Sequence, residues 1–197
     1  EKYSDLSSLS TDVELLLSMI QYYFPDKSVP TKIATLISEM DYENKVIYTP
    51  EWLIISIDLY LGSEHRYYEN EFPEYFKKTF NEDQILPDVV TAFGENIIPS
   101  PTDRTLLSQM IYFGKEMYLK DLLLPNTKDH LKIAYSPEQI QWCKENEFEM
   151  WQYFVEQKIL FNSDSKNLGR FISPAPFSKF YLDIDQESPG RVGVWLG

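Results

Sequence analysis

Residues 52–61, WLIISIDLYL, decide the fold class. The run carries too few polar residues for a strand with one wet face, so it reads as a central strand buried on both faces. Upstream, residues 45–49 (KVIYT) are β-rich and residues 41–44 are turn-like. Residues 32–38 are apolar, with β-branched Ile33 and Ile37, and a short helix from Thr31 is the competing reading there. Together these segments predict a small meander ending in the buried strand. Asp58 inside the run is unusual, because an unpaired buried carboxylate is costly. Either it sits at the strand end in a polar cleft or it caps nearby backbone amides, and the capping reading is preferred.

Outward from the strand, helices dominate. Residues 10–24 predict a helix capped by Ser10 or Thr11 and stopped by Pro25, with Leu15, Leu16, Met19, Ile20 and Tyr23 on its buried stripe. Residues 67–93 read as short helices broken by Pro73 and Pro87. Thr102 is expected to cap a strong helix through about Leu122, with Leu106, Leu107, Met110, Gly114, Met117 and Tyr118 inward. A mid-helix glycine costs about 1 kcal/mol against alanine, so Gly114 predicts close packing on another element. Ser136, Pro137 and Gln139 form an N-terminal signature for the longest predicted helix, residues 136–160. Its inward positions are Ile140, Cys143, Trp151, Phe154 and Val155. Everything after Asn162 reads as loop, with an extended piece possible over residues 179–184. The expectation is one α+β domain over residues 1–197, mainly helical, its helices packed around a small sheet from the N-terminal half.

Charge and composition narrow the function. Of 197 residues, 31 are acidic and 18 basic, a net charge of −13. Such a surface repels phosphate backbones, so neither nucleic acid nor anionic lipid is expected as a direct partner. One cysteine forbids an intrachain disulfide, and two histidines, His65 and His130, leave little for a histidine-based metal centre. The His-Glu-x-x-His and Gly-x-Ser-x-Gly signatures and the glycine-rich phosphate loop are absent from the sequence. No catalytic residue, metal or cofactor is therefore expected. The sequence begins at Glu1 and stops on glycine, and reads as a piece of a longer chain without its targeting signals.

Two acidic features need a reading. The stretch Asp183-Ile-Asp185-Gln-Glu187 alternates carboxylates, but an EF-hand would need glycine and glutamate where Ser188 and Val194 stand. A solvated acidic loop with some backbone capping is the simpler account. Glu147 falls on the inward stripe of the 136–160 helix, four residues from both Cys143 and Trp151. It reads as a buried carboxylate paired with a basic residue such as Lys115 or Arg170, whose loss would cost about 3 kcal/mol or more. A functional carboxylate is the alternative. Cys143 reads as a small core residue.

The stretches LLSQMIYFGKEMYLKDLLLP (106–125), YSPEQIQWCKENEFEMWQYFVEQKILF (135–161) and RFISPAPFSKFYLDIDQESPGRVGVWLG (170–197) resemble the GldB gliding-motility lipoproteins of the Bacteroidetes. YYFPDKSVP (22–30) and IDLYLGSEHRYY (57–68) follow the same order. The resemblance implies a lipid-anchored, periplasm-facing envelope protein of the gliding and type IX secretion apparatus, without enzymatic activity. It also implies that an acylated N-terminal cysteine and first segment are missing, and that the family continues as a helix beyond residue 197. The family in turn looks distantly similar to gluzincin-type zinc peptidases, whose active-site helix would fall near residues 106–118, with Met110 and Gly114 where histidines would stand. On that reading the chain is a degenerate, metal-free scaffold.

The expected function is binding of other envelope proteins, with the membrane reached only through the absent lipid anchor. Two rivals stand: a cryptic hydrolase joining Glu147, Asp58 and the 183–187 carboxylates on a metal, and a periplasmic ligand-binding module with a deep aromatic pocket. The expected working surface is the proline-bounded segment 174–191: Phe177, Lys179, Phe180, Tyr181, Asp183, Asp185, Glu187 and Arg191. Loops on a rigid scaffold, and aromatics beside arginine, are where binding concentrates. A purely structural role, in which the same aromatics plug the core, fits the pattern equally well.

Overall fold

A computed structural model describes residues 2–183 and 185–197. They form a mainly helical α+β protein, as the sequence predicts, and divide into two compact units. The first comprises residues 1–97 and 119–127, the second residues 98–118 and 128–197.

The first unit opens with helix α1, Ser7–Tyr23. It begins three residues earlier than the sequence predicts, after Leu6, with Asp5 accepting the Ser7 N–H at 2.8 Å. Its buried residues are Val13, Leu16, Leu17 and Ile20, while Leu15 is 64% exposed and Tyr23 also faces out. The expected stripe was thus rotated by roughly one residue, because a 3.6-residue period with apolar positions at 13, 15, 16, 17, 19 and 20 admits more than one face.

The sheet has three strands, β1 (Lys32–Leu36), β2 (Val46–Tyr48) and β3 (Trp52–Ser56), in the order β1-β3-β2. The strand reading of residues 32–38 therefore prevails over the helix. β2 and β3 form an antiparallel hairpin, whereas β1 lies parallel to β3, pairing Ile33 with Leu53 and Thr35 with Ile55. This is not the expected meander, since β3 sits between the other two. Nor is β3 buried on both faces: Leu53 and Ile55 have no exposure, but Trp52 on the other face is exposed and Ile54 half-buried. The uniform hydrophobicity of the run hid this alternation.

The strand also ends at Ser56, not Leu61, because the chain turns into a 3-10 turn, Ile57–Leu59. There the buried Asp58 accepts hydrogen bonds from the Ser38 N–H (3.0 Å), the Ser38 hydroxyl (3.2 Å) and the Met40 N–H (2.9 Å). The preferred capping role holds. Glu39 and Met40 carry φ of 58° and 66°, a conformation disfavoured for residues with a Cβ, so the carboxylate pins a strained turn. A second polar knot joins Lys45, at the head of β2, to Asp88, with the Tyr60 hydroxyl donating to Asp88 at 2.8 Å. Burial, and then the Asp88 charge, raise the Tyr60 hydroxyl well above its ordinary range.

Beyond the sheet come 3-10 turns at Arg66–Tyr68 and Glu82–Gln84, helix α2 (Glu74–Lys77) and helix α3 (Ile85–Ile97). Pro73 precedes α2, but Pro87 does not break a helix. It sits in the first turn of α3, where a missing N–H costs nothing.

Helix α4 (Leu106–Leu123) starts four residues after the expected cap; Thr105 rather than Thr102 accepts the Ser108 N–H. Leu106 and Met110 are fully buried, and Tyr118 is exposed against expectation. A Cβ on Gly114 would collide with the backbone of Gly197, which itself lies against the Met110 carbonyl, so the predicted close packing is present. Short helix α5 (Asp129–Lys132) precedes α6 (Pro137–Glu145), whose capping box is complete: Gln139 N–H to Ser136 Oγ at 3.2 Å and Ser136 N–H to Gln139 Oε1 at 2.9 Å.

The predicted 136–160 helix is then interrupted. Asn146, at φ −112° and ψ 15°, separates α6 from α7 (Glu147–Glu156). The region expected as loop after Asn162 contains α8 (Ser165–Phe171), capped by Asp164, and α9 (Val192–Leu196). Both were missed because five to seven residues are too few to show a period. The expected extended piece at 179–184 is irregular through Asp183, and its last residue, Ile184, lies outside the described residues. The second unit's core gathers Leu106, Met110, Tyr135, Cys143, Phe154, Phe171 and Phe180, among others.

Replacing Asp58 with alanine leaves the Ser38 and Met40 amides without their acceptor and should destabilise the protein by roughly 2–3 kcal/mol in denaturant unfolding. Asp58→Asn, keeping one carbonyl oxygen, should lose less. Cys143 offers a second check. Burial pushes its thiol up to about 12 from 9.0, so it should resist a thiol reagent at pH 8 until the protein unfolds. Because the folded value is raised, its share of stability is intact below pH 9 and is lost as pH climbs towards 12. Cys143→Ala should lack that share of the alkaline loss.

Candidate interaction surface

The segment 174–191 is folded around two internal fasteners. Asp185, opening a 3-10 turn (Asp185–Glu187), accepts the N–H groups of Phe180 (2.9 Å), Tyr181 (3.0 Å) and Leu182 (3.3 Å). Fully buried Ser178 donates its N–H to the Pro189 carbonyl at 3.1 Å, and its hydroxyl oxygen accepts the Val192 N–H at 3.2 Å. The Tyr135 hydroxyl donates to the Gly190 carbonyl from beneath, and burial raises it above its ordinary range.

These fasteners sort the eight expected residues. Phe180 turns into the core, its ring 5.2 Å from Phe171 and 5.1 Å from Tyr153. Phe177, Asp185 and Arg191 are half-buried. Lys179, Tyr181, Asp183 and Glu187 are exposed, Tyr181 to 73%. The segment is therefore part plug and part surface, and Asp185 is a backbone cap. The chain is not helical between Phe177 and Tyr181, and Tyr181 stands at φ +63°.

Two residues outside the expected set complete the surface. Arg170, in the last turn of α8, donates from Nε to the Lys179 carbonyl and from Nη2 to the Tyr153 hydroxyl, both at 2.7 Å. Its guanidinium lies 4.6 Å from the centroids of both the Phe171 and Tyr181 rings. The Tyr153 hydroxyl in turn donates to the Phe180 carbonyl at 2.7 Å. Leu182, 52% exposed, borders a recess of about 40 Å³ also lined by Trp142, Met150, Tyr153 and Phe180. No local signal marked Arg170 as part of the surface, since only the tertiary fold brings it to the loop.

Glu147 is corrected outright. It is exposed, and it forms no ion pair among the described residues. The break at Asn146 ends the stripe that reaches Cys143, and Met150 and Phe154 carry the buried face of α7. Arg170, its expected partner, is engaged by Tyr153 and the Lys179 carbonyl. Val155, another expected inward position, is 62% exposed.

Among the described residues no three His, Cys, Asp or Glu side chains come together as a metal-binding group. His65 accepts the Tyr67 N–H as a local cap, and His130 contacts the Tyr135 carbonyl. Recesses of about 180 Å³, one of them beside Tyr48 and Phe93, fall short of the roughly 300–1,000 Å³ of ordinary ligand pockets.

The geometry thus defines a helical α+β protein that displays one exposed tyrosine and a leucine on a loop fixed from within. Residues 1–197 match the family of the gliding motility protein GldB, a lipoprotein family, and the chain belongs to it. Membership carries a role in gliding motility and fits a lipid-anchored envelope protein. No curated protein and no solved structure matches the chain. No described helix is long and apolar enough to cross a membrane.

Exposure predicts that Glu147→Ala leaves the thermal midpoint within about a degree of the parent's, as surface substitutions do. A drop of several degrees would restore the buried-pair reading.

Proposed function

We propose that the chain serves gliding motility without catalysis, by binding other envelope proteins on the periplasm-facing side of the membrane that holds its lipid anchor, within the apparatus that includes type IX secretion. The observation that carries this is the preorganised display of Tyr181. Asp185 holds three consecutive amides, Arg170 stacks on the tyrosine ring, and the side chain remains 73% exposed. A partner meeting such a residue loses little further conformational entropy, which is how rigid aromatic anchors gain affinity. Tyrosine and arginine together are the usual make-up of interface hot spots. Lys179, Asp183 and Glu187 supply a polar rim around it.

The test is crosslinking in intact cells, read alongside colony spreading. A hot-spot loss of about 2 kcal/mol corresponds to roughly a 30-fold weaker complex. Tyr181→Ser should therefore abolish capture of the partner and slow spreading, at an unchanged envelope level of the protein. Tyr22→Ser removes an equally exposed tyrosine from α1 and should leave both readouts intact. If Tyr181→Ser cells capture the partner and spread like the parent, the loop is not the working surface.

A further inference from the structure

The sheet's outer edge points to a second docking site, independent of the Tyr181 loop. β1 is an edge strand, with β3 on one side only. Among the described residues no hydrogen bond other than those to β3 and its leading turn reaches the backbone of residues 33–36. In a parallel pair, alternate residues turn their N–H and C=O groups away from the neighbour, so this strand presents an unused backbone ladder.

Protein edges are ordinarily blunted by short length, charge, proline or a covering element. The other edge is treated so: β2 is three residues long and packs against α3. β1 has five residues and no proline, and its exposed positions include Ile33, 38% exposed, with Ile37 at 76% just beyond it. Lys32, the charge at its head, is already paired with Glu51.

A recess lies beside this same edge. It has a volume of about 180 Å³ and is lined by Leu6, by Leu9 and Val13 of α1, and by Ile33 and Thr35 of β1. Ile33 and Thr35 share a sheet face with their register partners Leu53 and Ile55, and α1 supplies the other wall. A strand added about 4.8 Å beyond β1 would place every second side chain over that recess.

Charge selects the occupant. Asp5, next to the lining Leu6, Asp12 of α1, next to the lining Val13, and Glu39 beyond β1 form no ion pair among the described residues. A second copy of a chain with net charge −13 is the wrong complement to these neighbouring carboxylates. We infer that the β1 edge and the recess beside α1 bind an extended segment of a partner protein, aliphatic at alternate residues and flanked by basic ones, as an added strand.

The experiment uses the whole chain and three labelled nine-residue peptides followed by fluorescence anisotropy. One alternates valine and threonine with lysine at both ends, one has glutamate ends, and one carries a central proline. The lysine-ended peptide should bind, the glutamate-ended one at least tenfold more weakly, and the proline one not measurably. Amide hydrogen exchange at residues 33–37 should slow in the complex. Ile33→Lys with Ile37→Lys should weaken binding at least tenfold, and Ile37→Lys alone, at a position 76% exposed, tests the edge without risk to the fold. Absence of binding, equal binding of the proline peptide, or protection outside β1 overturns the site. Concentration-dependent dimerisation abolished by Ile37→Lys overturns the occupant.

Discussion

The carboxylate of Asp58 is the constraint on which the first unit depends. A central strand must stop somewhere, and β3 stops where Asp58 reaches across to the Ser38 and Met40 amides. Those amides belong to the turn that leaves β1, so one side chain ties the ends of two parallel neighbours. Without it, two consecutive residues at positive φ would have little reason to stay there. Three donors satisfy the charge, which is why a buried acid can be tolerated in so apolar a run.

The second unit uses the same device at a different scale. Asp185 accepts three consecutive amides and so fixes the backbone from Phe180 to Leu182. Its effect is to send neighbouring side chains opposite ways, Phe180 into the core and Tyr181 to solvent. Arg170 then spans the loop from α8, bonded to a carbonyl and a hydroxyl and flanked by two rings. A guanidinium hydrogen-bonded twice and held within 4.6 Å of two ring centroids has little freedom left.

How much of this was legible follows from the range of each cause. Causes that leave a local mark could be read: the Ser136 and Gln139 capping box shows within four residues, and the Asp58 cap and the Gly114 contact, whose partners lie far off in sequence, still show as a carboxylate in an apolar run and a glycine in mid-helix. Register could not. Residues 136–160 look like one helix because nothing local forbids it, yet the break at Asn146 moves Glu147 from the buried stripe to solvent. The parallel placement of β1 beside β3 was equally hidden, since pairing is chosen by the whole sheet and not by either strand. Of the surface, the loop's aromatics were visible, but which were plug and which were display was set by a cap five residues away and by an arginine on another helix. Family membership came from whole stretches of sequence and adds nothing to the assignment of those roles.

Net charge bears on how such a domain would work beside a membrane. A chain at −13 is repelled by anionic headgroups over roughly a Debye length, about 8 Å at physiological salt. Under the proposed function, membrane attachment would then fall to the lipid and not to the protein surface. Repulsion would hold the folded units off the headgroups, leaving exposed aromatic and aliphatic side chains free. Those contacts act only at van der Waals range, so the long-range field would choose among partners first, favouring neutral or basic ones. Fixed side chains such as Tyr181 would then decide which of these are retained, since their order is established before any partner arrives. Under the proposed function, an acidic body with a few rigid apolar contacts would combine repulsion from the bilayer with selectivity between proteins: carboxylates on the surface repel, while Asp58 and Asp185 hold backbone in place.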